Sequence, residues 1–133
     1  MQYAVPRRGL PSAALLRKWT RAARPAGAVT VRIVGAREAR ELNRRFRKRD
    51  YATNVLSFAY GAEGDIVLCH PVIAREARAR RKSVRAHYAH LVVHGVLHLR
   101  GYAHDDKASA RRMEAREIRI LRRAGFANPY TVE

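Results

Sequence analysis

The chain has 133 residues, 47% hydrophobic and 29% charged, with 28 basic against 11 acidic residues and a formal charge of +17. That length suits one domain spanning residues 1–133, and the apolar content suits a packed core rather than disorder. No apolar run nears the roughly 18 residues of a membrane span; Met1–Leu10 lacks the apolar core of a signal peptide; and a lone cysteine, Cys69, excludes a disulfide framework and fits a reducing, cytoplasmic compartment.

Gln2–Val5 reads as a short strand. Ser12–Ala23 sets Leu15, Leu16 and Trp19 opposite Arg17, Lys18 and Arg21, an amphipathic helix that Pro25 and Gly27 end. Ala28–Val34 alternates and is rich in Val and Ile, a strand. Ala36–Arg47 is a helix with Ala39, Leu42 and Phe46 on one face. Asn54–Tyr60 and Asp65–Cys69 form a hairpin around Gly61–Gly64. Pro71 opens a helix to about Arg81. Ser83 caps Val84–Leu99, the most apolar segment, which Gly101 stops. Asp105 or Asp106 caps a last helix to Ala124, and Gly125 closes it. The order predicts an α+β fold, a small four-stranded mixed sheet with about five helices.

Of the 28 basic residues, all but Lys18, Lys48, Lys82 and Lys107 are arginine. A GC-rich genome would explain arginine over lysine but not the surplus over acids. Such a surplus self-repels unless a polyanion neutralises it. Nucleic acid is therefore the favoured partner, ahead of an acidic protein or a membrane surface.

Four of the six histidines, His87, His90, His94 and His98, share one face of the Val84–Leu99 helix; the others are His70 and His104. Within it, His94-Gly-Val-Leu-His98 places two imidazoles one turn apart, able to aim at one point. Gly101 lets the chain reverse, and His104 can return as a third ligand. Three histidines leave the fourth position of a tetrahedral zinc open, as in catalytic sites, where the ion lowers the pKa of bound water to ~7. This predicts one zinc per chain, on a central apolar helix. Metzincin peptidases share the spacing but carry Glu after the first histidine as general base. Here that residue is Gly95, and no carboxylate lies between Glu76 and Asp105.

These residues resemble the YbeY family of metal-dependent, single-strand endoribonucleases of ribosomal RNA maturation. The signature His-Gly-x-Leu-His-Leu-x-Gly-Tyr-Asp-His runs from His94 to His104 with one departure, Ala103 for Asp. Leu42-Asn-Arg-Arg-Phe-Arg47, Asp50, Thr53-Asn-Val-Leu-Ser-Phe58, Gly64-Asp-Ile66, His87-x-x-His90, Met113-Glu114 and Gly125-Phe-x-x-Pro-Tyr130 also fit. The resemblance implies that His94, His98 and His104 ligate zinc and that Arg47 matters for activity. It implies single-stranded RNA, ribosomal RNA precursors and small-subunit ribosomal proteins as partners, with roles in ribosomal RNA processing and ribosome quality control. Ala103 leaves the ligands intact and puts the orientation of the site, or a proton transfer, in question. The segment between Phe58 and Gly64 looks shorter than in many relatives.

Arg47 suits its implied role: a guanidinium grips phosphate through two N–H groups and offsets developing charge. Arg44, Arg45, Lys48 and Arg49 would extend a phosphate-tracking groove. His87 and His90 read as orienting donors, RNA contacts or core histidines, and His70 as a residue within reach of the cleft. Cys69 and Trp19 read as core. Tyr51, Phe58 and Tyr60 could stack on bases, with strand packing the plainer expectation. The rival class is a non-catalytic RNA-binding ribosome-assembly protein with a structural zinc.

Overall fold

The computed structural model describes residues 1–131. Hydroxyl and carboxylate caps start three of its helices. Ser12 accepts from Leu15 N ahead of α1 (Ala13–Ala22), Ser83 from Ala86 N ahead of α4 (Val84–Leu99), and Asp106 from Ser109 N ahead of α5 (Lys107–Arg123). The remaining helices among the described residues are α2 (Ala36–Arg47) and α3 (His70–Ala79). α3 begins at His70, with Pro71 in the first turn, where its missing N–H costs nothing.

The strands are β1 (Gln2–Tyr3), β2 (Val29–Val34), β3 (Val55–Tyr60) and β4 (Glu63–Cys69), paired in the order β1-β2-β4-β3. β1, β2 and β4 run parallel and β3 antiparallel to β4, so the sheet is mixed as expected. Boundaries differ from the sequence reading by one or two residues. β1 stops at Tyr3, α3 at Ala79, and the hairpin loop is only Gly61 and Ala62, because Tyr60 pairs with Glu63 and Gly64 joins both neighbouring strands.

β4 is buried on both faces over Ile66–Cys69, hence its unbroken apolar run there, whereas β2 alternates, with Val31 and Ile33 buried and Thr30 and Arg32 only partly so. Val31, Ile33, Ile66 and Leu68 enter a large core with α1 and α4. Val34, Val67 and Cys69 enter a smaller one with Ala39 of α2 and Val72 of α3. α4 packs on β3, β4, α1, α3 and α5 together, with ten of its sixteen residues buried, two of them histidines. Trp19 is buried in the large core and meets the edge of Phe126 at 5.8 Å between ring centroids. Cys69 is buried too, as read from the sequence. Among the described residues no helix is long and apolar enough to cross a membrane.

Candidate metal centre

The α4 histidines recur every three or four residues, so their rings line up along one side of the helix, tilted or edge-on to one another. Neighbouring ring centroids lie 6.2 Å apart for His87–His90, 6.2 Å for His90–His94 and 4.6 Å for His94–His98. At the helix end, Gly101 N–H donates to His98 O and Tyr102 N–H to Leu97 O, both at 3.0 Å, the double bond of a Schellman cap. That cap needs a left-handed residue, and Gly101 supplies φ +96°. The reversed chain carries His104 back to within 4.9 Å of the His98 ring centroid and 5.6 Å of His94. One nitrogen from each of His94, His98 and His104 then lies within 4.8 Å of the other two.

Glu117 of α5 was not anticipated as part of this site. Its side chain is fully buried, Oε2 accepts from His94 Nδ1 at 2.5 Å, and Oε1 accepts from His90 Nε2 at 3.2 Å and from the Tyr130 hydroxyl. The carboxylate can only accept, so it fixes the proton on His94 Nδ1 and leaves Nε2 with a free lone pair. A histidine tethered at its far nitrogen by a carboxylate is the usual support of a metal ligand. The signal was present in the sequence: Glu117 falls among Met113, Ile120 and Leu121 on the apolar face of α5, where a lone carboxylate needs partners.

The donor set fits a metal. Burial pushes His98 down to about 4, with His94 and His104 adding to the effect, so this imidazole is neutral and ready to ligate at neutral pH. Burial alone would raise Glu117, but hydrogen bonds from His90, His94 and Tyr130 outweigh it and hold the carboxyl at about 2. His90, His94 and Glu117 also lie close enough to form a ligand group. Their mutual hydrogen bonds already use those donor atoms, which favours the His94–His98–His104 set.

A cleft of about 450 Å³ opens beside the three histidines, and Arg47, Asn54 and Ser57 help line it. Arg47 ends α2. Its Nη2–H donates to Ser57 O at 2.7 Å, and its guanidinium lies 5.2 Å from the Phe58 ring centroid. Gly95 faces the sheet. A Cβ there would lie 3.1 Å from two Ile66 carbons and 3.2 Å from Ser57 Oγ, so any side chain at this position would need the sheet to give by a few tenths of an ångström.

The other singled-out residues separate clearly. His87 is buried and donates from Nε2 to Glu76 Oε1 at 2.8 Å, while Glu76 also accepts from Asn54 Nδ2. His90 is buried against Glu117 and Tyr130 rather than open to RNA. His70 stacks on Tyr88 and shares a 2.8 Å hydrogen bond with its hydroxyl. It is not among the cleft-lining residues. Phe58 packs edge-on against Phe46. Strand packing fails for Tyr51 and Tyr60, which are 50% and 60% exposed, because Tyr51 lies outside the strands and Tyr60 at the hairpin tip. Phe46, expected on the packed face of α2, is 53% exposed at its C-terminal end. Arg44, Arg45, Lys48 and Arg49 are exposed around Arg47, and Ala103 sits in the irregular segment leading to His104.

Acid should destabilise the metal-free protein. His98 moves from 6.5 to about 4 on folding and Glu117 from 4.5 to about 2. In both windows the unfolded chain binds more protons, so stability falls as pH drops from 6.5 toward 2. Thermal unfolding of chelated protein between pH 7.5 and 4 should show a falling midpoint; a flat profile would contradict these burials.

The family model described as Endoribonuclease YbeY matches residues 12–125. A protein named Endoribonuclease YbeY from Cupriavidus metallidurans is 53% identical over 131 aligned residues, covering 93% of this chain and 66% of the relative. Like-named proteins from Thiobacillus denitrificans and Nitrosomonas eutropha are 50% and 48% identical, covering 98% and 100% of this chain and 93% and 98% of theirs. The chain thus spans about two thirds of the Cupriavidus protein and nearly all of the other two. A solution structure of a Thermotoga maritima protein superposes with a TM-score of 0.55 at 22% identity, covering 98% of this chain and 97% of that one, a likeness of fold. With a family model spanning the cap of α1 through the end of α5, and relatives near 50% identity along the whole chain, this protein belongs to the YbeY endoribonuclease family.

Proposed function

We propose that this protein is a single-domain, zinc-dependent endoribonuclease of the cytoplasm that cleaves single-stranded RNA, ribosomal RNA precursors above all. The observation carrying this reading is the convergence of His94, His98 and His104 nitrogens in a cleft that Arg47 also lines. Those three histidines would hold zinc, the borderline metal that imidazole suits. Bound there, zinc supplies Lewis acidity toward a phosphoryl oxygen or a water at neutral pH.

The chain's own residues do the rest. Glu117 keeps the His94 Nδ1 proton and turns Nε2 toward the cleft. Arg47 spends one N–H on Ser57 O, leaving donors to grip a phosphate and offset charge that grows on its oxygens. The exposed cations around Arg47 draw the polyanion in. A structural zinc would be closed by a fourth protein ligand. The carboxylate in contact with the cluster, Glu117, is instead committed to His90, His94 and Tyr130, which favours an open catalytic site.

Elemental analysis of protein purified without chelators should find one zinc per chain, and that protein should cut unpaired RNA and spare a duplex. Glu117→Gln should weaken zinc affinity by about 10–100-fold in a chelator competition. Absence of zinc, with none taken up on titration, ends this reading.

A further inference from the structure

The α5 helix is two-sided. Its inward face carries Met113, Glu117, Ile120 and Leu121, all buried. At 100° per residue, Arg111, Arg112, Arg119, Arg122 and Arg123 all fall on the opposite half, and both acids of the helix, Glu114 and Glu117, fall on the inward half. Glu114 and Glu117 both act on Tyr130. The five arginines are exposed, and among the described residues none lies within ion-pair distance of a carboxylate. Arg112 lies near one, the Asp106 cap. Ala115 and Ile118 floor a shallow groove that Arg119, Arg122 and Arg123 rim.

Arginines at i and i+4, such as Arg119 and Arg123, repel and weaken a helix by a few tenths of a kcal/mol per pair. A genome bias toward arginine does not explain the absence of acids from this face. The protein as a whole does carry partnered arginines: Arg32 pairs with Glu38 and Arg40 with Asp50. On α5 the charges lie in a row of about 16 Å from Arg111 to Arg122, from the rise of about 1.5 Å per residue. Glu117 and the helix backbone separate this row from the His94 cleft.

We propose that the outer face of α5 is a second RNA-binding site, an arginine strip that takes the phosphate backbone of an unpaired strand and anchors the substrate away from the cleavage cleft. The partner's chemistry follows from the strip's. Planar guanidinium forks match phosphate oxygens, and the apolar floor at Ala115 and Ile118 can receive a ribose or base face. This inference rests on the nuclease reading for the identity of the polyanion. It adds that long substrates are held at two places.

The test is the salt dependence of RNA binding by the zinc-loaded full chain, read by anisotropy before cleavage, with the RNA checked for intactness on a gel. The triple variant Arg111→Gln, Arg119→Gln, Arg122→Gln is compared with a control of equal charge loss, Arg8→Gln, Arg17→Gln, Arg37→Gln. All six are exposed, and thermal unfolding should show both triples folded. For single strands each phosphate contact contributes about 0.7 to the slope of log K against log salt. The α5 triple should therefore flatten the slope by about 2, and the control by clearly less. Equal flattening in both, or none in the α5 triple, overturns the strip as a site. Unchanged RNA binding together with loss of polyglutamate binding would assign the face to an acidic protein and overturn the RNA proposal. Failure of the wild type to cleave RNA would sink the nuclease reading while leaving these slopes standing.

Discussion

His98→Ala should abolish zinc binding and RNA cleavage while leaving RNA affinity and its salt slope nearly as in the wild type. A neutral imidazole carries no charge, so its loss barely alters a surface of formal charge +17. It does remove one of three nitrogens that converge within 4.8 Å, and two imidazoles make a far weaker zinc site than three. Cleavage of an unpaired substrate should drop to the level of a nuclease-free blank. Trace ribonuclease would mimic activity, so the variant and wild type must be purified in parallel. Zinc-independent cleavage by His98→Ala at the wild-type rate would refute a catalytic metal. Binding without cleavage by both forms would favour the assembly protein with a structural zinc.

Arg47→Ala should cut cleavage by about 10²–10³-fold, the range seen when one donor to a developing negative charge is removed. Folding and zinc content should hold. Arg47 contributes one exposed hydrogen bond to Ser57 O and a cation–π contact with the Phe58 ring. Arg47→Lys should restore only part of the rate, since an ammonium keeps the charge but lacks the planar fork. Single-turnover kinetics with zinc-loaded protein separate this from a binding defect. An unchanged rate constant for Arg47→Ala would return the residue to the exposed basic cluster of Arg44, Arg45, Lys48 and Arg49.

Much of this arrangement was legible from local rules. The cap at Ser83 and the stop at Gly101 depend on groups a few residues apart, and each lies where the sequence placed it. The last helix had two possible caps, and the structure chooses Asp106 over Asp105. The three-histidine set is similarly local: two of the candidate ligands sit one helical turn apart, and the third follows one turn reversal. Its spacing is therefore written in eleven consecutive residues, and the motif spoke for a metal before any fold was known.

What surrounds those ligands depends on elements distant in the chain, and there sequence periodicity carried no pairing information. Glu117 reaches His94 only because α5 folds back along α4, 23 residues on, and Tyr130 reaches Glu117 from beyond the end of α5. The absence of a carboxylate between Glu76 and Asp105 was true of the chain and irrelevant to the space around His94. Gly95 is read from sequence as a missing base; the tertiary structure gives its positive reason, the contact with Ile66 and Ser57 that seats α4 on the sheet. Exposure followed the same division. Tyr51, Tyr60 and Phe46 carry apolar rings at positions whose burial depends on which element, if any, packs across them. The sequence by itself determined the helices, the sheet class and the three metal-directed histidines, because capping, turn chemistry and helical spacing act over a few residues. Only the tertiary structure decided the carboxylate that orients them and brought Arg47, already singled out by the family resemblance, to their cleft, because those contacts form when distant segments bury a common core.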